Sequence, residues 1–208
     1  MHHVPHSPAP PRPRPRPRLL ACDIDGTLVD QTGVLDPAVR DAVGLIRDTD
    51  VEVVLATGRS PWNGVGALAR SLRLDGPQIT IQGAALMVAP GDDLDRPRAI
   101  GAEVYDHALR VADELGLDPI VAFADGNRGE RIPERIEASR FARNEAVTFS
   151  YVDDLAAQAA DGPLRIYLAV EPTRHAAVVA TLIRRLGDAA SVTWSGPNGV
   201  EILSLIHI

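Results

Sequence analysis

The apolar positions of the chain fall into two stretches with different rhythms. From Leu19 to Ile81, short apolar runs alternate with amphipathic segments. The run Leu19-Leu20-Ala21-Cys22 predicts a strand. Asp36 and Pro37 supply an N-cap and a first helical residue for a helix reaching about Arg47. Residues 51–56 are apolar except for Glu52, the pattern of a strand buried on both faces. A second helix is predicted from Ser60-Pro61, with Val65, Leu68, Ala69 and Leu72 facing inward, and residues 79–81 predict a third strand. This β-α-β-α-β order with short loops predicts an α/β fold built on a doubly wound parallel sheet.

The rhythm changes after Gly83. Residues 84–88 and 99–104 read as paired strands around a Gly91-Asp92-Asp93 turn, and 106–115 as an amphipathic helix. A strand at 119–124, a polar loop through Glu137, a helix near 152–160 and a strand at 164–170 follow. A helix at 173–186 and a strand at 191–194 complete the set. Together they predict an inserted α+β domain of roughly 110 residues. Residues 199–203 are expected to return to the first domain. The predicted division is a leader over 1–18, a first domain over 19–83 and 196–208, and an insertion over 84–195.

Composition narrows the partners. At 208 residues and 45% hydrophobic content, the chain can bury a sizeable core. Its net charge is −7, and Arg12, Arg14, Arg16 and Arg18 contribute +4, so the remainder carries −11. An acidic body argues against binding a nucleic-acid backbone. The leader, rich in Pro-Arg pairs, favours extended polyproline II and is expected to be disordered. One cysteine excludes an internal disulfide, and no run suits a signal or membrane-spanning segment. Cytoplasm is the expected compartment. All 21 basic residues are arginine.

The densest chemistry stands directly after the first strand, at Asp23-Ile24-Asp25-Gly26-Thr27. A strand ending at Cys22 delivers Asp23 to the carboxyl edge of the sheet, where open α/β folds bind ligands. Asp25 shares its face, because side chains two apart on an extended chain point the same way. Two carboxylates on one face repel unless a cation or proton lies between them, which suits a magnesium site beside an attacking oxygen. A calcium loop is excluded by spacing, since Thr27 and Val34 stand where further ligands belong. Cysteine phosphatase chemistry at Cys22 wants an arginine where Leu28 stands. At Thr57-Gly58-Arg59 the second strand ends in a hydroxyl and a glycine at the same sheet edge. A hydroxyl and backbone N–H groups there can hold a phosphate oxygen.

Together these motifs resemble the haloacid dehalogenase superfamily, whose first motif is Asp-x-Asp-x-Thr and whose second is a Thr or Ser ending the next strand. The insertion at Gly83 and its length resemble the Cof-like branch, with a Rossmann-like core and a type IIB α/β cap. The resemblance implies that Asp23 is the nucleophile, forming an aspartyl-phosphate, and that Asp25 is the acid and then the base. It implies Mg2+ held by the Asp23 carboxylate and the Asp25 carbonyl, with Asp23 and Asp25 as the metal residues present. Thr57 and Gly58, with Thr27 and the N–H groups of Ile24 and Asp25, would form the phosphate cradle. The implied substrate is a small phosphorylated metabolite, a sugar phosphate above all, and the implied reaction is phosphomonoester hydrolysis. A phosphosugar mutase and a catalytically dead phospholigand-binding module are the alternatives.

The chain departs from that pattern at residue 82 and after Leu203, and a few candidates lie outside the motifs. Gln82 precedes Gly83 where the branch carries Asn. Arg59 is assigned equally to the pocket and to the surface, Asp125-Gly126-Asn127-Arg128 to a substrate-facing loop or a plain turn, and His175 to the surface. Relatives continue past a segment like Val200-Glu201-Ile202-Leu203 to a lysine and two further carboxylates, and this chain contains no lysine. The reading is therefore of an incomplete core lacking the third and fourth motifs, and of a chain inactive by itself.

Overall fold

The computed structural model describes residues 17–88, 94–95, 97–131, 149–196 and 198–205. The predicted leader apart from Pro17 and Arg18, the Gly91-Asp92-Asp93 turn and residues 132–137 of the polar loop ending at Glu137 lie outside the described residues.

Strand β1 (Leu19–Cys22) pairs in parallel with β2 (Glu52–Leu55), with Cys22 opposite Leu55. Strand β3 (Gln78–Thr80) joins the far side of β2 through a parallel bridge between Ala56 and Ile79. The parallel α/β core predicted from the first rhythm is thus present. Helix α1 (Pro37–Arg47) crosses between the first two strands. It starts where expected because the Asp36 carboxylate accepts from the Ala38 N–H at 2.7 Å, satisfying a donor that the first turn leaves unpaired. The second helical segment is split. A turn over Pro61–Val65 contains Gly64 at φ 76°, and α2 (Gly66–Ser71) follows. Val65, Ala69 and Leu72 are buried as predicted, against Ile24, Val43, Val53 and Leu55.

Strand β4 (Ala85–Met87) pairs antiparallel with β3 and with β5 (Leu94–Asp95). The predicted strand at 99–104 is not formed. Ala102 opens helix α3 (Ala102–Glu114), whose first turn brings Tyr105 and Ala108 into line with Val111 and Ala112 on one buried face. The helical period over the longer stretch outweighs the short apolar run at its start.

The second domain is a six-stranded sheet in the order β10-β11-β9-β6-β7-β8. Its members are β6 (Pro119–Phe123), β7 (Gly126–Gly129), β8 (Phe149–Tyr151), β9 (Arg165–Ala169), β10 (Ala190–Trp194) and β11 (Gly199–Ser204). Helices α3 and α4 (His175–Leu186) cover one face, with Tyr105, Val111, Val178 and Leu182 packed on Phe123, Ile166, Leu168 and Ile202. The helix predicted near 152–160 is a short 3-10 segment, Ala156–Asp161.

Strand β11 corrects the expected return to the first domain. It lies between β9 and β10, antiparallel to both, and all six of its residues are buried. An apolar strand reads alike in either sheet, and only its partners decide which it joins. The two units meet at a cluster of Ile81, Ala84, Ala85, Leu164 and Leu203, with Trp62 packed against it.

Candidate functional site

The site is built from the ends of two neighbouring parallel strands. The Ala56 N–H donates to the Cys22 carbonyl at 2.8 Å, which carries the β1–β2 ladder to its last residue. Asp23 and Thr57 therefore leave the sheet at the same edge. Ile24 is fully buried while Asp23 and Asp25 are exposed, so the two carboxylates share the open side as strand alternation predicts. The turn that follows is closed by the Ile24 carbonyl, which accepts from the N–H groups of Thr27, Leu28 and Val29. Gly26 sits at φ 81°, a conformation that glycine adopts without steric cost. The Ile24 side chain belongs to the core, leaving only its main chain for any ligand. Thr27 is exposed beside the carboxylates.

Arg59, left open by the sequence, faces this site. Its Nε donates to Asp25 Oδ2 at 2.8 Å and its Nη2 to Oδ1 at 2.7 Å. This two-pronged geometry is the strong form of an arginine–carboxylate contact. The Asp25 side chain is nonetheless 52% exposed. Thr57 is buried, and its Oγ1 accepts from the Arg59 N–H at 3.1 Å. Since that oxygen acts as acceptor, its single proton is left to donate to an anion.

The loop after β2 is held from behind, one carbonyl at a time. The Thr57 carbonyl accepts from the Gln82 N–H at 3.2 Å and the Arg59 carbonyl from the Ile81 N–H at 3.0 Å. Between them, the Gly58 carbonyl accepts from Arg165 Nη1 at 2.8 Å. The donors from Ile81 and Gln82 come from a turn in which both residues have positive φ, 51° and 55°. For a β-branched isoleucine this is a strained conformation, of the kind that persists where the surroundings over-determine it. Gln82 has a definite place here: its amide lies over Gly58, where a Cβ would approach Nε2 to 2.5 Å. Gly58 is needed for that close approach.

Arg165 and Glu201 were missed by sequence reasoning. Both are almost fully buried, with Nη1 to Oε1 at 3.3 Å, and Ser195 Oγ donates to the same Oε1 at 2.9 Å. Arg165 Nη2 reaches Ser60 Oγ at 3.2 Å. The available signal was one charge inside each of two otherwise apolar strands. Such charges are almost never buried unpaired.

Other sequence candidates fall elsewhere. Asp125 to Arg128 lies at the turn of the β6–β7 hairpin, and Arg128 is paired with Asp125 and with Asp161 of the 3-10 segment and stacked 4.3 Å from the Phe123 ring. His175 is buried, not at the surface; its Nε2 lies 2.8 Å from the Gly199 carbonyl, and its ring packs on Trp194. Burial pushes the Cys22 thiol pKa up, which disfavours the thiolate and agrees with its exclusion as a nucleophile. Asp30, just past the turn, has its carboxyl held below the ordinary value by the Thr32 hydroxyl and then by the Val34 N–H.

The donors at the strand end fit magnesium in kind. The Asp23 carboxylate and the Asp25 carbonyl are hard oxygen ligands, and Mg2+ keeps several waters beside one or two carboxylates. Among the described residues no group of three or more His, Cys, Asp or Glu converges to form a fuller cage. No helix among them is long and apolar enough to cross a membrane.

A family model described as haloacid dehalogenase-like hydrolase matches residues 20–205. The stress response protein YhaX of Bacillus subtilis is 36% identical over 98 residues, covering 47% of this chain and 32% of that relative. A crystal structure of a haloacid dehalogenase-like hydrolase from Bacteroides thetaiotaomicron superposes with a TM-score of 0.77 at 18% identity, over 92% of this chain and 73% of that one. The subclass IIB sugar phosphatase BT4131 gives a TM-score of 0.72 at 16% identity, over 90% and 70% of the two chains. With its parallel core, its two aspartates at one strand end and a family match across nearly all of its length, this chain belongs to the haloacid dehalogenase-like hydrolases.

Proposed function

We propose that this chain carries the nucleophile and the acid–base group of a magnesium-dependent phosphomonoester hydrolase acting on a small phosphorylated metabolite. The observation that carries the proposal is the shared sheet edge, with Asp23 and Asp25 both exposed after the first strand and Thr57 leaving the second strand at the same edge. Asp23 attacks phosphorus through a carboxylate oxygen, the P–O bond to the leaving group breaks, and an aspartyl-phosphate forms. With Arg59 turned from Asp25 to the phosphate, Asp25 takes up a proton from solvent, gives it to the departing oxygen and then takes one from the water that hydrolyses the intermediate. Thr57 donates to a phosphoryl oxygen. Arg59, bound to Asp25 here, stands within reach of an incoming phosphate dianion and would neutralise part of its charge. Asp23 and the Asp25 carbonyl would hold Mg2+, which supplies charge neutralisation on the transferring group.

A sugar phosphate is the proposed substrate class, supported by the sugar phosphatase among the similar structures. The 208 residues contain no lysine, Arg59 is a cation beside the carboxylates at the described strand edge, and slow turnover is proposed for these residues. The test is inorganic phosphate release from a panel of sugar phosphates with Mg2+, beside Asp23→Asn. Release that vanishes in the variant and with chelator supports the reading, and undiminished release in Asp23→Asn overturns it. Turnover of about 1–10³ s⁻¹, the ordinary enzyme range, would overturn the slow-turnover part alone.

A further inference from the structure

We infer that Arg165 is a positioning residue for the candidate phosphate loop, so that the six-stranded sheet is part of the construction of that loop and not only a cover over it. The inference rests on the proposed phosphate site for what the loop binds. It rests on geometry for how the loop is held.

Arg165 lies on the face of the six-stranded sheet opposite α3 and α4. Register places it across from Leu203 and diagonal to Glu201, so both charges stand on that same face. Its guanidinium spans three acceptors: the Gly58 carbonyl, Ser60 Oγ and Glu201 Oε1. The planar fork makes this possible, whereas a lysine ammonium is a single point on a flexible stem. Glu201, itself anchored by Ser195, sets the direction of the fork.

The loop between Thr57 and Ser60 carries the Thr57 hydroxyl on one side and Arg59 on the other. Two of its carbonyls are held by the strained Ile81-Gln82 turn, which belongs to the first unit. The middle one, Gly58, is held from the second unit. Removing that donor from a half-buried carbonyl leaves an acceptor without its partner, and the loop gains reason to rotate the peptide toward water. Rotation there changes the direction of the Arg59 N–H and hence its bond to Thr57 Oγ1.

The experiment is residue-resolved amide exchange on the full 208-residue chain, comparing wild type with Arg165→Lys. The double variant R165M/E201M serves beside them, because it removes both buried charges together and leaves neither one stranded. In both variants the amides of Arg59, Ile81 and Gln82 are expected to exchange faster by about tenfold or more, with β6 and β10 amides unchanged. Unchanged protection at those three amides overturns the inference. So does an equal loss across both sheets, which is the mark of a purely structural residue. Orthovanadate titration separates this from the proposed function: failure of the wild type to bind counts against the phosphate site, while the exchange result still decides the tie. If the wild type binds, Arg165→Lys is expected to weaken binding by about fivefold or more, and equal affinity beside a loosened loop overturns the positioning role.

Discussion

The molecule contains two arginine–carboxylate pairs on either side of one loop, and they are built for opposite purposes. Arg59–Asp25 is bidentate yet open, with side chains 17% and 52% exposed. Arg165–Glu201 is longer at 3.3 Å but sealed, with both side chains 2% exposed. An open pair loses little when a ligand or water replaces one partner, because the freed charge is still solvated. A sealed pair cannot be separated without stranding a charge in a medium that solvates it poorly. The difference teaches that geometry alone does not rank ion pairs. The shorter pair is the exchangeable one, suited to the proposed entry of a phosphate, and the longer pair joins the loop to the second sheet.

Five outcomes bear on that contrast. Asp23→Asn is expected to bring phosphate release to the no-enzyme rate with no change in the thermal midpoint, a result read by paired activity and calorimetry. A fall in stability would mean that the open edge carries structural load after all. Glu201→Leu leaves the Arg165 charge buried and uncompensated, and about 3–5 kcal/mol of unfolding free energy should be lost in urea titration. Restoration by a second substitution at Arg165 would confirm that the cost is the stranded charge.

Gly199→Ala probes the packing beside that pair. A Cβ there would meet the Ser195 carbonyl at 2.4 Å and the Tyr167 ring at 2.6 Å, an overpacking worth about 1–3 kcal/mol by the same titration.

The fourth outcome is a pH dependence. Burial, and then the Glu201 charge, pushes the Tyr167 hydroxyl up to about 12, above the unfolded value of about 10. A pKa raised on folding contributes stability that is fully present below the unfolded value and lost as pH rises through the folded one. Tyr105, raised chiefly by burial, adds to the same loss. Thermal midpoints should therefore fall as pH rises from about 10 toward 12, and less steeply in Tyr167→Phe. The smallest effect is expected from Asp25→Asn, which disturbs the open pair. Stability should move by no more than about 1 kcal/mol, and a larger loss in urea would erase the contrast between the two pairs.

Much of the first unit was legible before any coordinates, for identifiable reasons. Asp36-Pro37 marks a helix start through local chemistry that needs no distant partner, and α1 begins at Pro37. The runs at 19–22 and 51–56 are bounded by turn residues, and β1 and β2 fall within them. The second unit was less legible because its signals are not local. Residues 99–104 carry a short apolar run whose fate depends on the helical stripe beyond it. His175 is a polar residue on a helix, and nothing in the sequence says that Trp194 and the Gly199 carbonyl lie against it.

By itself the sequence determined which chemistry the chain can offer. A strand followed by Asp-x-Asp-Gly-Thr puts two carboxylates on one face, because alternation along an extended backbone is a property of the chain alone. Only the tertiary structure decided which sheet β11 joins and what stands behind the Thr57 loop. Arg165 is 107 residues from the Gly58 carbonyl it holds, and no local rule links positions so far apart. Pairing of that kind is set by which buried groups remain unsatisfied once the sheets have packed, and that is known only when they have.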